Sequence, residues 1–255
     1  MCLILFSWKT HPKYNLVLAA NRDEFYDRPT AAAAFWEEHP NVLAGKDLQA
    51  GGTWIGVNKS GRIAAITNYR DPQNIDTKAR SRGQLTLNYL LSKDSPEAYL
   101  RKVKNSGIHY NGFNLLVGDA DHMFYYNNVN HQITELKPGT YGLSNGFFQE
   151  NWPKLKKGRN ALEKAISEDD ISENRLFDIL ADNEIADDAA LPKTGIPLEW
   201  ERALSPLFIK TEKYGTRCST LIYSETNGDG VLVEKTYPTE NGQGESFERI
   251  DFNGG

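Results

Sequence analysis

Residues 2–24 read CLILFSWKTHPKYNLVLAANRDE, and this stretch decides the fold. Cys2 to Trp8 is an apolar run of strand length, and Asn15 to Ala20 is a second. Between them Lys9 to Tyr14 carries Pro12 and suits a turn, so the pair is predicted as an antiparallel hairpin. The polar cluster Asn21-Arg22-Asp23-Glu24 opens where the second strand is expected to end. A hairpin brings the far end of one strand beside the near end of its partner. The cluster is therefore expected next to Cys2.

Position 2 has its own chemistry. Removal of the initiator methionine leaves an α-amine, with a reference pKa of about 7.7–8.0, on the residue that carries the thiol. One residue then supplies both nucleophile and base. Arg22 would favour the thiolate, and Asp23 would hold the amine by a charge-assisted hydrogen bond. Position alone also fits a buried strand cysteine, since cysteine is among the most buried residue types. The polar cluster alone also fits a solvated strand end.

Working outward, Gly51-Gly52-Thr53-Trp54 leads through the turn Asn58-Lys59-Ser60-Gly61 into a strand over 62–69, a second hairpin. The glycine pair suits a tight turn or close packing beneath Trp54, and it lacks the Gly-Lys-Ser/Thr of a phosphate loop. Periodicity predicts helices over 84–92, 96–105, 153–167 and 172–182, with Ser95 capping the second and Ser172 the fourth. Strands are expected over 113–118, 122–127, 218–225 and 231–237, the last two joined by Asn227-Gly228-Asp229-Gly230. The segment 183–207 reads as a surface excursion, and Lys154 to Arg159 as a solvated basic face. Hairpins alternating with helices favour an α+β fold with mainly antiparallel sheets over a doubly wound parallel one. No linker or repeat divides residues 1–255, which are expected to form a single domain.

Composition narrows the function. Lys and Arg total 29 against 34 Asp and Glu, a net charge of −5, which disfavours a nucleic-acid partner. No apolar run approaches the roughly 20 residues of a membrane span. Two cysteines, Cys2 and Cys218, exclude a zinc ribbon or a disulfide framework. No metal and no cofactor is called for. Without a secretory signal, a chain with two thiols is expected in the reducing cytoplasm. Cys218 reads as a passive strand cysteine.

The blocks Met1-Cys2, Asn21-Arg22-Asp23-Glu24, Gly51-Gly52-Thr53-Trp54, Thr67-Asn68, Gly142-Leu143-Ser144-Asn145, 194–201 (TGIPLEWE) and 214–220 (YGTRCST) together resemble the NRDE family, in animals the transport and Golgi organisation protein 2 family. The resemblance runs from residue 1 to about residue 235. It implies a four-layer αββα sandwich of the N-terminal-nucleophile hydrolase type. More distantly the chain resembles the choloylglycine hydrolase and penicillin V acylase group, which hydrolyse amides with an N-terminal cysteine. That likeness implies a small-molecule amide substrate, Cys2 as nucleophile, Asp23 as the acidic residue and Asn68 and Asn145 as oxyanion donors. It also implies Arg217 as the late arginine that polarises the site or anchors a substrate carboxylate. Arg22, Asn21 and Trp54 are expected to contact substrate. Ala20 stands where the acylases carry an arginine, and Arg22 is expected to point to the other strand face. The family's association with secretory-pathway organisation and haem trafficking implies haem as an alternative partner. None of the five histidines has the i, i+4 spacing of a paired ligand set.

Overall fold

A computed structural model describes residues 2–238 and 244–253. In chain order its strands and α-helices are β1 (Cys2–Trp8), β2 (Tyr14–Phe25), β3 (Thr30–Trp36), β4 (His39–Asp47), β5 (Ile55–Asn58), β6 (Ile63–Asn68), α1 (Gly83–Leu91) and α2 (Pro96–Asn105). There follow β7 (Phe113–Gly118), β8 (Met123–Asn127), β9 (Gln132–Glu135), β10 (Gly139–Leu143), α3 (Pro153–Ser167), α4 (Glu173–Leu180) and α5 (Leu198–Ala203). The chain closes with β11 (Tyr214–Glu225), β12 (Asp229–Thr236) and β13 (Ser246–Asn253).

The strands form two antiparallel sheets. The first has the order β10-β1-β2-β11-β12-β13 and the second runs β3 to β9 in sequence. Strand alternation sends each side chain to one of two faces. Ile4, Phe6, Leu16 and Leu18 point between the sheets, where they meet Leu43, Ile55, Val57 and Leu116. Leu3, Leu5, Val17 and Ala19 point the other way, onto Leu155, Leu162 and Leu176 of α3 and α4. Ala64, Leu115 and Val117 of the second sheet cover Leu87, Leu90 and Leu100 of α1 and α2. Three apolar seams thus bind four layers, the αββα arrangement.

The predicted helices form nearly where expected. Ser95 and Ser172 accept from the backbone N–H of Ala98 and Arg175, each at 3.3 Å, as N-caps do. Three expectations are corrected. β2 runs on to Phe25, so Asn21-Arg22-Asp23-Glu24 lies inside the strand, with β11 beside all four residues and β1 beside Asn21 and Arg22. The segment 183–207 is not merely a surface excursion, because Glu201, Leu204 and Leu207 are buried. Lys154 is not on a solvated face: it is 3% exposed.

Candidate active site

The β1–β2–β11 register sets the site. Cys2 stands opposite Arg22, and Arg22 stands opposite Cys218. Arg22 is two residues from Ala20 and so shares its face, which corrects the expectation that it points away. That face looks between the sheets into a cleft of about 450 Å³ bordered by Cys2, Arg22, Glu24, Trp54 and Asn68. The Arg22 guanidinium lies 4.5 Å from the centroid of Trp54, and 3.8 Å from Glu24 Oε2. Trp54 in turn lies over Gly45, where an added Cβ would come within 2.4 Å of the indole. Gly52 serves differently: its Cβ would meet the Gly83 carbonyl carbon at 2.5 Å, so the glycine lets α1 begin against the cleft wall.

The next residue along β2 faces the opposite way. Asp23 is 1% exposed, and its carboxylate accepts from Thr216 Oγ1 at 2.7 Å. Tyr214 donates its hydroxyl to the Asp23 carbonyl at 2.9 Å. Burial pushes the Asp23 carboxyl up, and the nearby Lys154 ammonium and the Thr216 hydroxyl pull it back down. Lys154 donates to the Leu204 carbonyl at 3.1 Å, and burial lowers its pKa to about 8 against the pull of Asp23. No motif marks Lys154, but its helix position does. It precedes Gly158 and Leu162 by four and eight residues on the buried stripe of α3.

Asn21 shares the helix-side face with Asp23. Its side-chain amide donates to the carbonyls of Leu180 and Leu207, each at 2.9 Å, and accepts from Ser219 at 2.6 Å. Those bonds anchor the first sheet to the helices, and Asn21 does not border the cleft, contrary to its expected contact with substrate.

A stitch between the sheets places Asn68. Thr67 Oγ1 donates to the Ser144 carbonyl at 2.5 Å, and Ser144 Oγ donates to the Cys2 carbonyl at 3.1 Å. Asn145 Nδ2 donates to the Asn68 carbonyl at 2.8 Å. Asn68 is half-buried and borders the cleft; Asn145 is fully buried and stands behind it. Arg217 is the extra residue of a β-bulge between Thr216 and Cys218. Its Nη1 donates to the carbonyls of Phe25 and Arg28 at 2.7 and 3.0 Å, and it does not border the cleft. The structure therefore brings Cys2, Arg22, Trp54 and Asn68 together at the cleft, with Asp23 at its edge, and puts Asn21, Asn145 and Arg217 in supporting positions.

The 194–201 block supplies another support. Glu201 is buried and accepts from the Thr194 N–H and hydroxyl at 2.9 and 2.6 Å and from Arg70 Nη1 at 2.8 Å. The Cys2 thiol is pushed up by burial, against which Arg22 and a hydrogen bond from the Asp23 backbone N–H pull it down. Cys218 is buried and its thiol is pushed well up. None of the histidines borders the Cys2 cleft, although His109 and His131 border an adjoining groove of about 610 Å³. Among the described residues no helix is long and apolar enough to cross a membrane.

Two layered sheets between helices, opened by a cysteine strand, define an N-terminal-nucleophile hydrolase-like fold. A mutant conjugated bile acid hydrolase from Clostridium perfringens superposes with a TM-score of 0.55 at 11% identity, over 98% of this chain and 92% of that one. A Caenorhabditis elegans ortholog of N-acylethanolamine-hydrolyzing acid amidase superposes with a TM-score of 0.51 at 10% identity, over 87% of this chain and 92% of that one. The chain belongs to the Transport and Golgi organisation 2 family, whose family model matches residues 1–239. Transport and Golgi organization 2 homologs from Mus musculus and Homo sapiens are each 35% identical, over 92% of this chain and 93% of theirs. The Drosophila melanogaster protein of that name is 27% identical over 92% of both chains.

Proposed function

We propose that the protein is an amidohydrolase acting on the C–N bond of a small-molecule amide, with Cys2 as an N-terminal nucleophile. The observation that carries this reading is the pairing of Cys2 with Arg22 at the floor of a cleft that Asn68 also borders. The Cys2 thiolate attacks the amide carbonyl, forming an S–C bond and a tetrahedral oxyanion. The α-amine of residue 2 takes the thiol proton and gives it to the departing amine as the C–N bond breaks. Water then cleaves the thioester. Asn68 donates to the oxyanion, and Asn145 acts through it as a positioning residue. Asp23 holds the amine from the helix side. Arg217 braces the turn that carries Arg28 and polarises the site only from a distance. With Met1 removed, the chain works as one domain in this reading, and the two free thiols suit a reducing, cytoplasmic setting.

The test is turnover of a panel of N-acyl amides by wild-type and Cys2→Ala protein. Hydrolysis by the wild type that disappears in Cys2→Ala supports the reading. Equal rates in the two proteins overturn it.

A further inference from the structure

Several arginines border the Cys2 cleft, and their partners differ. Arg28 is matched by Asp47, with Nε and Nη2 at 2.9 and 2.7 Å from Oδ2. Arg22 lies 3.8 Å from Glu24 Oε2, while its Nη1 is buried without a hydrogen-bond partner on a side chain only 5% exposed. Arg80 and Arg82, on the segment between β6 and α1, border the same cleft. Neither guanidinium has a carboxylate oxygen within 4.0 Å of its nitrogens among the described residues. Asp76, the acidic residue of that segment that borders the cleft, lies 3.1 Å from His109 instead.

Arg82 uses one N–H on the Gly112 carbonyl at 3.0 Å. Burial lowers its pKa, against which Glu24 first and then Cys2 act to raise it. Arg80 is exposed. The first residue of α1, Gly83, also borders the cleft, and a helix start adds partial positive charge there. A half-buried guanidinium with no carboxylate in direct contact is costly, and an entering anion offsets that cost. Guanidinium forks suit planar or tetrahedral oxyanions.

We propose that the cleft takes amides bearing an acid group, a carboxylate or a phosphate, near the scissile bond, and that Arg82 and Arg80 read that group. The proposal deepens the amidohydrolase reading and rests on Cys2 as the reactive thiol, but its test needs no turnover. Iodoacetate and iodoacetamide alkylate thiols by the same step: the sulfur displaces iodide, an S–C bond forms, and the thiol proton passes to solvent. They differ in charge. A short unstructured cysteine peptide supplies the reference ratio of the two rates, and mass spectrometry assigns the label to Cys2.

The expected ratio of iodoacetate to iodoacetamide is about tenfold above that of the peptide and falls as salt rises. Arg80→Gln lowers the ratio several-fold. Arg82→Gln lowers it further while leaving an amide able to donate to Gly112. Arg80 is an exposed residue, so Arg80→Gln remains informative if Arg82→Gln fails to fold. In a second arm, N-acetylglycine and glycerol phosphate compete with iodoacetamide. Either one protecting Cys2 better than neutral N-acetylglycinamide supports the acid site and identifies which acid it takes.

A ratio no higher than that of the peptide, or one unchanged by the Arg80 variant, overturns the proposal, as does equal protection by all three competitors. The failures separate. A raised ratio without amide turnover contradicts the hydrolase and leaves the acid site standing. Turnover of neutral amides with no raised ratio does the reverse.

Discussion

The two faces of the first sheet differ most sharply where β2 passes Cys2. On the face between the sheets, Arg22 and Glu24 border a cleft, and the buried Arg22 Nη1 has no hydrogen-bond partner. On the helix side, Asn21 and Asp23 are 1% exposed and bonded to β11, with Asn21 also bonded to the carbonyls of Leu180 and Leu207. One four-residue block thus alternates between supporting the fold and furnishing the cleft. The difference teaches that clustered polar residues in a sequence need not share a task. Substitution of Asn21 is expected to cost stability, and substitutions on the cleft side to cost reactivity, while Asp23, at the edge of the cleft, bears on both.

Asn21→Leu is the harshest challenge to that contrast. It strands two buried carbonyls, at about 1–3 kcal/mol each, and leaves the Ser219 hydroxyl with Tyr237 as its partner. Urea unfolding is expected to show a loss of roughly 4 kcal/mol. A loss below about 1 kcal/mol would mean that the helix side carries no more of the fold than the cleft does. On the cleft side, Asn68→Ala is expected to lower amide turnover by about 10²–10³ while its unfolding midpoint barely moves. Equal turnover would remove Asn68 from the chemistry.

Lys154 sharpens the comparison through pH. Burial holds its pKa at about 8 in the fold, below the ordinary lysine value of 10.5. A lysine whose pKa is depressed by folding binds more protons when unfolded, so stability rises as pH climbs from about 8 to about 10.5. The rise amounts to about 3 kcal/mol at most. Lys154→Met is expected to flatten that part of the wild-type profile in urea titrations at successive pH values. Parallel profiles would show that the ammonium is not held in a dry site. The smallest effect is expected for Arg22→Gln. It removes a cation–π contact of about 1 kcal/mol and raises the pH midpoint of Cys2 alkylation. A midpoint that falls or stays fixed would exclude Arg22 as the thiolate's partner.

Much of this architecture is legible in the order of residues. The 2–24 hairpin, the 51–69 hairpin and the caps at Ser95 and Ser172 follow from local chemistry, and they form, although β2 runs on past its expected end to Phe25. Thr30–Trp36 and His39–Asp47 escape such reading because an alanine run, TAAAAFW, blurs the apolar alternation of a strand. The expectation for Arg22 fails on parity: residues 20 and 22 share a face, opposite Ile4 and Cys2 in turn. Lys154 is hidden by its basic neighbours, since burial depends on which side of α3 meets the sheet. The stacking of Arg22 on Trp54 joins two sheets, and no local pattern reports such a contact.

The central claim is that residue 2 supplies both thiol and amine, and mass spectrometry of the N-terminal peptide from protein purified from its native source tests it directly. The account predicts a chain that begins at Cys2 with a free α-amine. A chain that retains Met1 would leave that amine in a peptide bond and contradict the account.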